Sequence, residues 1–158
     1  MKTRRFVMLA AAVAGLPFAA CAEEAAKGGP VFLHDYAKAV EAGAKEKKPV
    51  IVIFSATWCG PCQQMKKKVY PSEAVKGFHD KFIWAYLDAD EAANEKPMKD
   101  FGVSGIPHIE FLGTDGKSVG KQVGSSSPED FAKKLDGVLK KGSVKGEEKG
   151  AEKGVEKK

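Results

Sequence analysis

Cysteine and histidine are scarce in this chain, with three of each in 158 residues. A structural zinc site takes four such ligands. Cys21 stands near the N-terminus, far from Cys59 and Cys62, and His34, His79 and His108 are scattered singly, so a zinc site is short of ligands and no metal is expected. The apolar stretch from Phe6 to Ala14 is too short to cross a bilayer comfortably as a mature helix. Basic patches interleaved with aromatics are also missing, which removes the usual footprint of nucleic-acid binding despite a formal charge of +5.

What the N-terminus does hold is an export pattern. Lys2, Arg4 and Arg5 precede the apolar stretch, and a small-residue run ends at Ala20-Cys21-Ala22. This is a secretory signal over residues 1–22, with cleavage expected after Ala22 and a mature start at Glu23. A rival reading makes Cys21 a lipid-attachment cysteine and the product a membrane-tethered lipoprotein. Phe18 stands where lipoprotein signals usually carry Leu, which favours cleavage after Ala22. Three of the 26 basic residues leave with the signal, so 23 face 21 acidic ones and the charge falls to about +2. Roughly 135 residues remain, enough for one domain with a real core.

The centre of the chain is Trp58-Cys59-Gly60-Pro61-Cys62. Val50 to Phe54 before it reads as a strand buried on both faces, and Cys62, Met65 and Val69 after it recur at helical spacing. Two thiols two residues apart at a strand-to-helix junction make a dithiol that can close and reopen. Free N–H groups and the positive end of the helix dipole favour ionisation of the more N-terminal thiol. Cys59 is therefore expected to be the accessible nucleophile and Cys62 the buried resolving cysteine.

Around that centre, residues 23–30 form a short tether and residues 31–141 one domain. Val31-Phe32-Leu33 suggests an edge strand, and Asp35 can cap a helix with Tyr36, Ala39, Val40 and Gly43 on one face. Ser72 can cap a short turn through Val75 and Phe78, and Phe82 to Leu87 is a second apolar strand, with Asp88 and Asp90 read as turn residues. A helix through Met98 and Phe101 stops at Gly102. His108 to Leu112 and Ser118 to Val123 make a hairpin, and Ser127-Pro128-Glu129-Asp130 opens a last helix. The fold class is α/β, a mixed central sheet flanked by helices. Residues 142–158 repeat a Lys-Gly-x-Glu pattern with a glycine every fourth position, which predicts a disordered tail.

Trp58-Cys59-Gly60-Pro61-Cys62, followed at a distance by Gly105-Ile106-Pro107, resembles the thioredoxin superfamily. The likeness runs from about Val31 to Lys140. The lengthened segment from Gln63 to Ser72 resembles the C-terminal thioredoxin-like domain of periplasmic thiol:disulfide interchange proteins. The resemblance implies a thioredoxin fold and dithiol chemistry at Cys59 and Cys62 with no cofactor. It further implies a substrate groove lined by Trp58, Gly60, Pro61, Ile106, Pro107 (as a cis-proline) and Gly124. The implied partners are disulfide-containing proteins and an electron-donating membrane reductase, with the chain acting as a monomer. A Gly-Pro spacer resembles reducing members, so a periplasmic disulfide reductase is expected. An oxidase or isomerase is the alternative within enzymes, and a redox-inert peptide-binding module or chaperone the alternative outside them.

The chain departs from the family at one point. Thioredoxins carry a buried acid five positions before the active-site tryptophan, and here that position is Ile53. The usual base for Cys62 is thus missing, and Glu110 is a candidate substitute. Strand alternation puts His108 and Glu110 on one face and Ile109 and Phe111 on the other. The expectation is that Ile109 and Phe111 pack beside Ile53 under the active-site helix.

Overall fold

The computed structural model describes residues 28–144. The expected export signal and cleavage site, Cys21 and the repeats from Lys145 onward lie outside the described residues. Five strands form one mixed sheet: β1 (Phe32–Leu33), β2 (Val50–Ser55), β3 (Ile83–Asp88), β4 (His108–Leu112) and β5 (Ser118–Val123). Their spatial order is β1-β3-β2-β4-β5. β3 runs parallel to β1 and β2, whereas β4 is antiparallel to both β2 and β5. The short β1 is an edge strand, as its sequence suggests.

Strand alternation divides the core in two. On one face Ile51 and Ile53 of β2 lie with Trp84 and Tyr86 of β3 and Ile109 and Phe111 of β4. Over them pack the helix that follows β2, here α2 (Gly60–Gln64), and its continuation Met65–Val69, through Met65 and Val69. α5 (Pro128–Val144) covers the same face with Phe131, Leu135 and Val138. On the other face Val50, Val52, Phe54, Ala85, Leu87 and Leu112 meet α1 (Tyr36–Glu46) and α4 (Glu95–Asp100). The expected packing of Ile109 and Phe111 beside Ile53 is observed, with Ile109 directly opposite Ile53 in the register.

The caps show why these helices start where they do. Asp35 accepts the Lys38 N–H at 3.0 Å, and Ser127 accepts the Asp130 N–H at 3.1 Å ahead of Pro128, so each satisfies a donor with no partner inside its own helix. At Gly43 α1 comes so close to β2 that an added Cβ would lie 2.4 Å from Val50 Cγ2, an approach only glycine permits. Three details differ from the sequence reading. Met65–Val69 is a π-helical stretch closed by Tyr70 N–H donating to Met65 C=O at 3.0 Å, a bulge that periodicity alone does not reveal. Ser72 precedes α3 (Glu73–Lys76) but makes no side-chain cap. Its hydroxyl instead donates to Val69 C=O at 2.6 Å, supplying a partner at the preceding helix's end. α5 continues to Val144, past Lys141 where the domain is expected to end. Among the described residues no helix is long and apolar enough to cross a membrane.

Candidate active site: the Cys59–Cys62 disulfide

β2 ends at Ser55, and the chain turns through Ala56, Thr57 and Trp58 into α2, with Cys59 at the N-cap. Cys59 N–H donates to Ala56 C=O at 3.2 Å and Gln63 N–H to Cys59 C=O at 3.0 Å, so the turn and the first helical turn are locked together. Pro61 sits where a missing N–H costs least. Cys59 and Cys62 are joined as a disulfide. The Cys62 N–H donates to Cys59 Sγ at 3.3 Å. A sulfur that accepts a backbone N–H at a helix start is the one on which negative charge is favoured.

Burial does not separate the two cysteines as the sequence suggests. Cys59, expected to be accessible, is 5% exposed, and Cys62 is 2% exposed. Both pack with Ala56, and Ile106 closes over them, so in the disulfide form the pair is covered together. The distinction lies in position instead: Cys59 caps the helix and Cys62 faces inward from its first turn.

Exposed groups gather at the rim. Trp58 is 69% exposed, and its indole N–H donates to Asp90 Oδ2 at 2.7 Å. Gly60 and Pro61 are exposed on the helix start. The Ile106–Pro107 peptide is cis. Pro107 C=O accepts the N–H of Gly124 at 2.8 Å, and Gly124 holds φ +85, a backbone that L side chains rarely adopt. Pro107, which has no N–H, thus already has its C=O engaged within the fold. Ile106, beside the disulfide, has neither its N–H nor its C=O in a hydrogen bond within the described residues.

The contact between Trp58 and Asp90 is one that sequence reasoning missed, since Asp90 reads there as a turn residue. It is one: Asp90 N–H donates to Asp88 Oδ1 at 3.0 Å. Yet Ser55 pairs with Asp88 across the parallel strands β2 and β3. The loops leaving both strands at their carboxyl ends are thus neighbours, which is where sites form in such sheets.

The supposed substitute base lies elsewhere. Glu110 is buried on the α1–α4 face, where it accepts from the Ser118 hydroxyl and bonds His108 Nε2 at 3.1 Å. Ile53, on the dithiol side, is fully buried among apolar side chains. Polar groups on that side come from other positions. Ser55 Oγ, fully buried, is 2.5 Å from the Tyr86 hydroxyl, and burial raises the Tyr86 phenol above its ordinary range while the Ser55 hydrogen bond opposes that shift. Among the described residues no group of three or more His, Cys, Asp or Glu is placed to hold a metal ion.

Residues 36–139 match the model of the thioredoxin-like domain family. The chloroplastic thioredoxin-like protein HCF164 of Arabidopsis thaliana is 38% identical over 77 residues, covering 49% of this chain and 29% of its own. A thioredoxin of Mycolicibacterium smegmatis is 37% identical over 92 residues, 58% of this chain and 80% of its own. The solution structure of a Thermus thermophilus thioredoxin superposes with a TM-score of 0.65 at 26% identity, covering 75% of this chain and 95% of that one. The chain spans between 29% and 52% of the length of the chloroplast relatives it matches. With the five-stranded mixed sheet and a Cys-x-x-Cys pair capping the helix after β2, these matches establish that the chain belongs to the thioredoxin-like family.

Proposed function

We propose that this chain is a thiol-disulfide oxidoreductase that reduces protein disulfides in the periplasm. The observation that carries the reading is the Cys59–Cys62 pair itself, a disulfide capping a helix beside the unpaired backbone of Ile106. In the reduced protein, the Cys59 thiolate attacks one sulfur of a substrate disulfide. A Cys59–substrate mixed disulfide forms and the first substrate thiol leaves. Cys62 then loses its proton and attacks Cys59, which re-forms the protein disulfide and releases the second substrate thiol. The N–H groups of the first turn favour charge on Cys59 throughout. The backbone of Ile106 offers one residue of strand pairing to the substrate chain, and Trp58, held by Asp90, supplies an apolar wall.

The direction of electron flow rests on the Gly60-Pro61 spacer, which lacks a histidine to stabilise the thiolate further. The location rests on the export pattern of residues 1–22. A reductant in an oxidising compartment needs re-reduction, and a membrane reductase of matching chemistry is the partner it calls for. Supplied with excess dithiol, the protein should catalyse insulin reduction. Cys59→Ser should abolish that activity, whereas Cys62→Ser should accumulate mixed disulfides. No catalysis by the unaltered chain would leave a redox-inert binding module as the better reading, and an unaltered rate in Cys59→Ser would remove Cys59 from the nucleophile's role.

A further inference from the structure

Of the six residues of β5 only Gln122 is buried, and it is polar. It faces Ile109 across the ladder and so lies on the dithiol side of the sheet. The reason for a polar group there is found at the end of the same ladder. β4 and β5 pair Ile109 with Gln122 and His108 with Val123, and the next step brings Pro107 opposite Gly124. At a hydrogen-bonded step the two facing residues exchange two bonds, one in each direction. Here Gly124 N–H donates to Pro107 C=O at 2.8 Å, and the return bond cannot form because proline has no N–H. The Gly124 C=O would be left without a donor, at a residue whose φ of +85 marks the freest kind of backbone in the chain. The donor comes instead from the side chain of Gln122, whose Nε2 lies 3.3 Å from Gly124 C=O and 3.0 Å from Ser126 Oγ. An amide nitrogen carries two hydrogens, so it serves both partners at once.

We propose that Gln122 is a positioning residue of the substrate groove, its side-chain amide standing in for the N–H that Pro107 lacks. Gly124 is then held from both sides, Pro107 taking its N–H and Gln122 its C=O. Ile106, next to Pro107 and packed over the two cysteines, is thereby fixed where its free N–H and C=O can pair with a substrate chain. The same amide gathers Ser126, so two of the three residues between β5 and the Ser127 cap of α5 are tied to one buried group. A groove held in its binding shape beforehand spends less of its interaction with the substrate on ordering itself. No hydrogen bond joins Gln122 to either sulfur among the described residues, so its effect falls on how a protein substrate is held and not on the exchange.

This role for Gln122 rests on the reduction of protein disulfides proposed above, and the two fail separately. Steady-state insulin reduction with dithiothreitol reads the holding of a protein substrate through KM. Gln122→Met keeps the unbranched length and removes both donors, and it should raise KM for insulin about tenfold with kcat unchanged. Gln122→Lys, which supplies donors and no acceptor, should bring KM back to within about twofold of the original. A small disulfide has no chain to lay across Ile106 and serves as the control. In a chain carrying Cys21→Ser, only Cys59 and Cys62 remain as thiols. Reduced protein mixed with 5,5′-dithiobis(2-nitrobenzoate) in stopped flow releases one coloured thiolate when Cys59 attacks and a second when Cys62 resolves. Both phases should be unchanged in Gln122→Met. Should that chain fold poorly, Gln122→Glu, of the same shape and without a donor when ionised, takes its place. An unchanged KM for insulin, equal rises in Gln122→Met and Gln122→Lys, or slowing of the small-disulfide phases in step with the loss on insulin overturns the positioning role while leaving the exchange intact. Absence of the first phase in the chain that retains Gln122 overturns the exchange and the positioning role together.

Discussion

On the face of the sheet covered by α2 and α5, the strands present Ile51, Ile53, Trp84, Ile109 and Phe111, and their polar groups are the uncharged ones of Ser55, Tyr86, Gln122 and the Trp84 indole. On the face covered by α1 and α4, Val52, Phe54 and Leu87 share the interior with a bonded His108 and Glu110. One sheet thus keeps its buried carboxylate on the side away from the dithiol and only neutral groups on the side beneath it. The two sides are one residue apart on β4, because neighbouring side chains on a strand point in opposite directions. A carboxyl group in the right strand is of no use to Cys62 if its parity is wrong, so Glu110 serves stability and the dithiol has to shed protons by other means.

The largest test of this contrast removes the carboxylate. Glu110→Ala leaves His108 Nε2 and the Ser118 hydroxyl without their partner in the interior, and His108 Nδ1 already has none among the described residues. Unfolding in urea should show a loss of about 3 kcal/mol or more. Resolution of the mixed disulfide, followed in the same chain, should keep its rate. A resolution rate that collapses with the carboxylate would show the two faces to be coupled. Placing an acid on the dithiol face sharpens the comparison from the other side. Ile53→Asp should accelerate resolution near neutral pH and cost about 2 kcal/mol of stability through burial of a polar group. The same urea and stopped-flow measurements read both effects.

A smaller effect follows from the tyrosines of the dithiol face. Burial raises the phenols of Tyr70 and Tyr86 above their ordinary range. The unfolded chain then releases their protons near pH 10 while the folded chain retains them, so the stability they confer is complete below that pH and is lost as the pH rises beyond it. Each contributes at most about 1.4 kcal/mol per pH unit to that decline. Urea midpoints measured across pH 9 to 11 should fall, and Tyr70→Phe should flatten the fall.

The alternation that separates the two faces was readable before any coordinates. Val50 to Phe54 is apolar at every position and so leaves its own parity open, whereas His108-Ile109-Glu110-Phe111 alternates and needs only one contact to orient it. That contact is Ile53 against Ile109. The Cys-x-x-Cys pair, its helix and the capping residues Asp35 and Ser127 were legible because each acts over a few residues of chain. What escaped were the contacts that depend on register between strands. Trp58 with Asp90 and Ser55 with Tyr86 are each about thirty residues apart and meet only because β2 and β3 run parallel in one register. The π-helical stretch escaped for another reason: one residue added to a turn leaves the inward set of Cys62, Met65 and Val69 intact.

Direction of electron flow is the claim on which the functional account turns, and the midpoint potential of the Cys59–Cys62 couple measures it directly. Equilibration with glutathione or dithiothreitol redox buffers, read by alkylation of the free thiols, gives the value. A reductase with a Gly-Pro spacer should lie near the thioredoxin range, about −270 mV. A potential at about −180 mV or higher would contradict the account and make the chain an isomerase or an oxidase.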